Sequence, residues 1–202
     1  MNDHYDVVVV GARVAGAATA LHLARAGHRV AVVDRAGPPT DTTSTHALMR
    51  TGVLQLRRAG VLDRVVEAGT PPIQGVTLVF GPERISFPVV DECGVDAYYA
   101  PRRTVLDKIL LEEAVAAGAE FHSDISVSGV SRNDIGRVNG IFARIPEGGG
   151  TRVSATFVVG ADGTHSRIAR SVEAAVLRQN RPTNAVVYGY FEGIEAPGYE
   201  FR

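Results

Sequence analysis

The apolar and polar positions at the start of the chain predict a βαβ unit. Asp6–Val10 is a β-branched run, typical of a strand buried on both faces of a parallel sheet. Across Val14–Ala26 the apolar residues recur at helical spacing, and Gly27 is placed to end that helix. A second strand-like run follows at Arg29–Asp34. Strand, turn, helix and strand in this order form the unit.

The remaining pattern predicts further helices and strands of an α/β fold. Helical spacing predicts helices at Ala47–Ala59, Leu62–Ala68, Thr104–Ala117 and His165–Val172. Strand patterns predict a hairpin and a parallel strand at Gly75–Phe80, Arg84–Phe87 and Glu120–Ser123. They also predict a three-stranded meander at Ile125–Ser131, Val138–Ile145 and Arg152–Val159. A last strand, Ala185–Phe191, follows a polar stretch and is expected to begin a second sheet.

Composition narrows the class of protein. The chain has 202 residues, 45% of them hydrophobic, and a net charge of −1, so no basic field indicates nucleic-acid binding. Cys93 is the single cysteine, which excludes an internal disulfide and favours the reducing cytoplasm. Because no apolar run is long enough to span a bilayer, we expect no stable membrane insertion.

The turn after the first strand has the residues of a dinucleotide site. In the segment Val10–Gly16, Gly11 permits a tight turn and Gly16 lets the helix pack closely on the strand. The N–H groups at the helix start, that of Ala15 among them, attract a pyrophosphate. Arg13 stands where the common pattern has its second glycine, so its side chain must point away from the phosphates or meet them. The alternative is a structural turn with no ligand.

The end of the second strand supplies the acidic residue that such sites use. Asp34 is placed to accept hydrogen bonds from the adenosine ribose, and Arg35 beside it joins the predicted cofactor set. A carboxylate there disfavours a 2′-phosphate, and therefore NADP. The turn by itself leaves both FAD and NAD open.

Three stretches resemble FAD-dependent oxidoreductases of the p-hydroxybenzoate hydroxylase type, which include aromatic monooxygenases and geranylgeranyl-reductase-like proteins. They are Val8–Gly16, Ala100–Asp107 and Val158–Arg167, in the order and at the spacings of that family. The resemblance implies a Rossmann-like FAD-binding domain with a parallel sheet and a β-meander, followed by the start of a truncated second β-sheet domain. We therefore expect a domain over residues 1–175, to which residues 70–100 add strands toward a substrate domain, and the incomplete substrate domain over 176–202.

The resemblance also implies roles for four more residues. Arg103 would contact phosphate or ribityl oxygens, with a solvated helix-start arginine as the alternative and Arg102 as the solvent-facing neighbour. Asp162 would help to position the pyrophosphate, or would only cap the following helix. Thr45 would lie near the flavin ring, or cap a helix. The backbone at Val127 would meet the adenine.

The function implied is that of a flavin-dependent oxidoreductase. We expect a monooxygenase that uses NAD(P)H and oxygen on a small organic substrate, and we identify neither a catalytic residue nor a metal site, because the flavin carries the chemistry. The alternatives are a reductase of unsaturated isoprenoid lipids and a non-catalytic dinucleotide-binding remnant. The family's later Gly-Asp pair is absent from the sequence. The chain is therefore expected to be a fragment or a natural truncation that binds FAD weakly, dissolves poorly and turns over no substrate alone.

Overall fold

The structure is a computed structural model that describes residues 4–37, 44, 47–145, 148–179, 187, 189, 193 and 198–202. The chain divides into two compact units. The first unit contains the described residues within 1–42 and 106–179, and the second contains those within 43–105 and 180–202. The second unit is therefore drawn from two separate stretches of sequence. The predicted boundary after residue 175, between an FAD-binding domain and a substrate domain, stays a prediction.

The five predicted helices, and the predicted strands that lie within the described residues, are present in the predicted order, and three short strands at Pro72–Ile73, Tyr98–Tyr99 and Tyr199–Phe201 were not predicted. Within the described residues the helices are α1 (Val14–Arg25), α2 (Arg50–Arg58), α3 (Leu62–Glu67), α4 (Arg103–Ala116) and α5 (Arg167–Ser171). The strands are β1 (His4–Val10), β2 (Val30–Val33), β3 (Pro72–Ile73), β4 (Gly75–Phe80), β5 (Glu83–Pro88), β6 (Tyr98–Tyr99), β7 (Glu120–His122), β8 (Ser126–Arg132), β9 (Val138–Ile145), β10 (Gly149–Gly160) and β11 (Tyr199–Phe201). The predicted α/β class is confirmed.

The first unit is built on a sheet in the order β7-β2-β1-β10-β9-β8. Strands β7, β2, β1 and β10 pair in parallel, whereas β8, β9 and β10 form the predicted antiparallel meander. The last strand of the meander thus returns to lie beside β1 in the centre of the sheet. This return brings the carboxyl ends of β1, β2 and β10 to one edge, where ligands bind in open α/β folds.

Burial on both faces explains the β-branched runs of the central strands. Val8 and Val9 of β1 point to opposite faces, and neither has any exposed surface. One face carries α1, which packs on β1 and β2 through small residues such as Ala17 and Ala20. The other face forms a core with the meander, to which Ile141 contributes. At roughly 1.5–3 kcal/mol for each large apolar side chain, this burial holds the site's edge rigid.

Two helices begin later than the sequence pattern predicts. Helix α2 begins at Arg50 and not at Ala47, because the backbone of Leu48 pairs with that of Tyr99 through N–H···O distances of 2.7 and 3.2 Å. Helix α5 begins at Arg167 and not at His165, because Ser166 serves as its N-cap. A backbone contact with a distant residue therefore sets the start of α2, and an N-cap sets the start of α5.

The second unit contains two small sheets. Strands β11, β4 and β5 form one sheet, in which β4 and β5 are the predicted hairpin around Gly81, and β3 and β6 form the other. The predicted strand Ala185–Phe191 lies outside the described residues except at positions 187 and 189. No helix within the described residues combines the length and apolar character needed to cross a membrane.

Candidate functional site

The turn between β1 and α1 is enclosed by the two neighbouring strands. The Gly11 N–H donates to the Val33 carbonyl oxygen at 2.8 Å. On the other side, the Ala161 N–H donates to the Val10 carbonyl oxygen, also at 2.8 Å. The turn is therefore fixed to the ends of both β2 and β10, and it lies at the carboxyl edge of the sheet.

Both glycines of the turn are required by its geometry. Gly11 has a φ of 105°, and a Cβ atom there would lie 2.4 Å from the Ala161 carbonyl oxygen. A Cβ atom on Gly16 would lie 1.7 Å from the Gly11 carbonyl oxygen. Since the obstructing atoms are backbone atoms, no side-chain movement relieves these contacts. The predicted reasons for Gly11 and Gly16, the tight turn and the close approach of helix and strand, are both present.

The N-terminus of α1 has the donors that an anion requires. The helical hydrogen bonds begin with the Ala17 N–H, which donates to the Arg13 carbonyl oxygen at 2.8 Å. The N–H groups of residues 14–16 precede it and have no partner within the helix. No acidic residue stands in the first turn, so the positive end of the helix dipole is not neutralised from within. This donor set fits a pyrophosphate.

Arg13 and Ala15 are both exposed at this helix start. Arg13 occupies the N-cap position in an extended conformation, and its side chain makes no capping hydrogen bond. The larger residue is therefore accommodated where the common pattern has glycine, because its side chain points into solvent and not into the turn. A guanidinium there adds positive charge beside the anion site.

Asp34 joins the turn to the end of β2. Its Oδ2 accepts a hydrogen bond from the Ala12 N–H at 2.7 Å, and its Oδ1 accepts one from the Ala36 N–H at 3.0 Å. Because an ionised carboxylate has about four acceptor positions, two such bonds leave capacity for ribose hydroxyls. Arg35 is exposed beside it.

Asp162 follows β10, and its carboxylate is bound to α5. Its Oδ1 accepts from the Ser166 hydroxyl at 2.5 Å, and its Oδ2 accepts from the N–H groups of Arg167 at 2.6 Å and Ile168 at 3.3 Å. Burial favours the neutral acid, but these hydrogen bonds outweigh it and lower the pKa of Asp162 below its usual value. The capping role weighed from the sequence is thus present in the structure, and a contact between Asp162 and FAD stays a prediction.

The start of β8 lies beside Asp34. The Ile125 N–H donates to the Asp34 carbonyl oxygen at 2.9 Å, and the Asp34 N–H donates to the His122 carbonyl oxygen at 3.1 Å. Val127 follows two residues later, opposite Ala143 and at a register shift in the meander. The segment that leads to Val127 is therefore fixed to the end of β2, although the proposed adenine contact itself stays a prediction.

The other predicted site residues lie apart from the turn in the chain. Arg103 is the first residue of α4, is half-buried and belongs to the second unit, whereas Arg102 is exposed as predicted. Thr45 lies outside the described residues.

The predicted set omits Ala161, which packs against the turn. A Cβ atom on Gly16 would lie 3.3 Å from the Ala161 Cβ atom, in addition to the Gly11 contact described above. The sequence does contain a signal for this role, since Ala161 is a small residue directly before Asp162 and follows a predicted strand. Only the sheet order shows that this residue faces the glycines.

Comparison with known proteins gives the family of this fold. A family model described as "FAD binding domain" matches residues 4–189. The chain belongs to this family of FAD-binding domains. The prediction of an FAD-binding domain, made from the turn and from the two later stretches, is confirmed.

Named relatives include a reductase and monooxygenases. Digeranylgeranylglycerophospholipid reductase 2 of Methanothermobacter thermautotrophicus is 34% identical in an alignment 174 positions long, which covers 82% of this chain and 41% of the relative. Kynurenine 3-monooxygenase of Salinispora tropica is 30% identical in an alignment 204 positions long, gaps included, which covers 92% of this chain and 42% of the relative. The crystal structure of PqsL, a probable FAD-dependent monooxygenase from Pseudomonas aeruginosa, has a TM-score of 0.71 at 25% identity and covers 89% of this chain and 48% of PqsL. The chain thus spans less than half the length of these relatives.

Proposed function

We propose that this chain holds FAD for a monooxygenase that acts on a small organic substrate. The observation that carries the proposal is the turn after β1, where two glycines have no room for a side chain and the N-terminus of α1 is open to an anion. The pyrophosphate would accept hydrogen bonds from the N–H groups of residues 14–16, that of Ala15 among them, with the Arg13 side chain beside it. Asp34 would bind the adenosine ribose, with Arg35 beside it and the Val127 backbone at the adenine.

The chain's own residues bind and orient the cofactor. Bound FAD supplies the redox chemistry, with NAD(P)H as the source of electrons and oxygen as the co-substrate. The protein's contribution is to hold the dinucleotide at the rigid edge of the sheet, where Gly11 and Ala161 fix the turn. The single cysteine supports the cytoplasm as the site of action.

The relatives support monooxygenase activity and leave one specific alternative. Kynurenine 3-monooxygenase and PqsL are named as monooxygenases, and these names favour oxygen insertion. The 34% identity with an archaeal reductase supports reduction of an isoprenoid lipid as the second candidate. A non-catalytic remnant that retains FAD is the third reading.

Cofactor binding is tested first, on the purified chain. Fluorescence titration with FAD and with NAD should show tighter binding of FAD, and a visible spectrum should show the flavin bands. Binding of NAD that is tighter than binding of FAD would contradict the proposal. The titration should be carried to high micromolar flavin, so that weak binding is also detected.

The reaction is tested by turnover measurements on the full chain. A monooxygenase should oxidise NAD(P)H faster with substrate, consume oxygen and place one labelled atom from ¹⁸O₂ in the product. A reductase should saturate a double bond of an unsaturated isoprenoid under argon, with NAD(P)H oxidised in equal amount and no oxygen consumed. Bound FAD with neither activity would support the non-catalytic reading.

Arg103 is proposed as a second anchor for FAD, and Arg102 provides a matched control. Arg103→Gln should weaken FAD binding by about 1.5–3 kcal/mol, the usual value of one charge-assisted hydrogen bond. Arg102→Gln removes the same charge from the exposed neighbour and should leave the dissociation constant almost unchanged. Equal losses in the two variants would show that only net charge matters.

A further inference from the structure

The carboxylate of Asp34 binds a backbone group of the glycine turn itself. Ala12 lies between Gly11 and Arg13, and its N–H donates to Asp34 Oδ2 at 2.7 Å. Asp34 Oδ1 holds the Ala36 N–H at 3.0 Å, on the segment that follows β2. One side chain therefore ties the segment between β1 and α1 to the segment after β2.

The Ala12 N–H is thereby occupied by the protein itself. It is bound by a negatively charged side chain, and a phosphate oxygen that approached the same N–H would meet that charge. The N–H groups left for a pyrophosphate are those of residues 14–16, which precede the first helical hydrogen bond. We infer that Asp34 is a positioning residue for the pyrophosphate turn, in addition to its proposed contact with the ribose.

Asp34 is suited to this role because its own backbone is fixed on both sides. Its N–H donates to His122 and its carbonyl oxygen accepts from Ile125, at 3.1 and 2.9 Å. The aspartate is therefore held in place by the edge of the sheet without any ligand. A turn that is ordered in the free protein pays its conformational cost during folding and not during binding. The inference rests on the proposed location of FAD at this turn.

The first test measures amide hydrogen exchange in the ligand-free protein, residue by residue, by NMR. Asp34→Ala removes both acceptor atoms and should speed exchange at Ala12 and Ala36 by about tenfold, the effect of losing one hydrogen bond of usual strength. Asp34→Asn keeps a single acceptor oxygen, so it should release one of the two amides and hold the other. Unchanged exchange at Ala12 in Asp34→Ala would overturn the inference, whatever the flavin affinity.

The second test separates positioning from ribose binding, with inorganic pyrophosphate as the probe, because it has no ribose. Asp124→Asn is the control, since it removes the same charge from an exposed residue directly before Ile125. If Asp34 positions the turn, pyrophosphate should bind at least threefold more weakly to Asp34→Ala, which has neither acceptor oxygen, than to Asp124→Asn by calorimetry. Equal affinities in the two variants would overturn the inference. Failure of the wild-type chain to bind FAD would instead contradict the proposed function, while the exchange experiment would still decide the role of Asp34.

Discussion

Asp34 and Asp162 are two acids in equivalent places that the fold uses differently. Each follows the carboxyl end of a parallel strand, β2 for Asp34 and β10 for Asp162. The carboxylate of Asp162 receives three hydrogen bonds, from Ser166, Arg167 and Ile168, all at the start of α5. The carboxylate of Asp34 receives one on each oxygen, from two different segments.

The two acids differ in how much of their acceptor capacity the protein's own hydrogen bonds occupy. Asp162 caps a helix and so fixes the backbone that begins at Ala161, against which the glycine turn packs. Asp34 bridges two segments and keeps acceptor capacity for a ribose. We therefore expect loss of Asp162 to act mainly on stability and loss of Asp34 to act mainly on FAD binding.

The largest effect is expected at the glycine turn. Gly16→Val should abolish FAD binding, because even a Cβ atom would lie 1.7 Å from the Gly11 carbonyl oxygen. Gly163→Ala provides the comparison beside Asp162: that residue has a φ of 85° but open space around its Cβ position. It should cost about 1–2 kcal/mol of stability from backbone strain and retain FAD binding. Flavin titration measures the FAD affinity of the two variants, and thermal unfolding measures their stability. FAD binding by a folded Gly16→Val variant would show that the turn is structural only.

The next effect compares the two acids directly by FAD affinity. Asp34→Ala should weaken FAD binding by about 1.5–3 kcal/mol for each ribose hydrogen bond that is lost. Asp162→Ala should change the dissociation constant less, because its carboxylate is occupied by α5. If Asp162→Ala has the larger effect on affinity, the assignment of roles to the two acids is wrong.

A smaller effect is expected on folding stability from the cap of α5. Ser166 Oγ accepts from the Ala169 N–H at 3.0 Å and donates to Asp162. Ser166→Ala should destabilise the chain by about 1 kcal/mol, the usual cost of an N-cap. Urea unfolding measures this loss, and Ser128→Ala, on the exposed side of β8, is the serine control. Equal losses of unfolding free energy in the two variants would show that the cap does not stabilise the fold.

The smallest effect is a dependence of stability on pH. Because the pKa of Asp162 is lower in the folded chain than its usual value of 3.8, its stabilising contribution is present above that value and is lost as the pH falls through the folded-state pKa. The stability difference between wild type and Asp162→Asn should therefore shrink below about pH 4. Unfolding midpoints of both proteins across this pH range measure the difference. The contributions of the other acidic residues are the same in both proteins and therefore cancel. A constant difference would mean that Asp162 does not titrate in this way.

The sequence by itself determined the parts of the fold that depend on local pattern. The β-branched run of β1, the helical spacing of α1 and the positions of Gly11 and Gly16 together specify a dinucleotide turn. Gly27, expected to end α1, has a φ of 85°. These features are local, since strand burial, helix period and positive φ each constrain only a few neighbouring residues.

Only the tertiary structure decided which groups meet at the site. The parallel pairing of β10 with β1 places Ala161 against Gly11, although about 150 residues of chain separate them. The parallel pairing of β2 with β7 sets the backbone of Asp34 beside Ile125. Pairing with Tyr99 removes Leu48 from α2. Asp162 also shows the limit of residue type, because an acid before a helix serves equally as a cap or as a ligand contact. Its hydrogen bonds to Ser166, Arg167 and Ile168 show the cap, which the local pattern had offered beside the ligand contact.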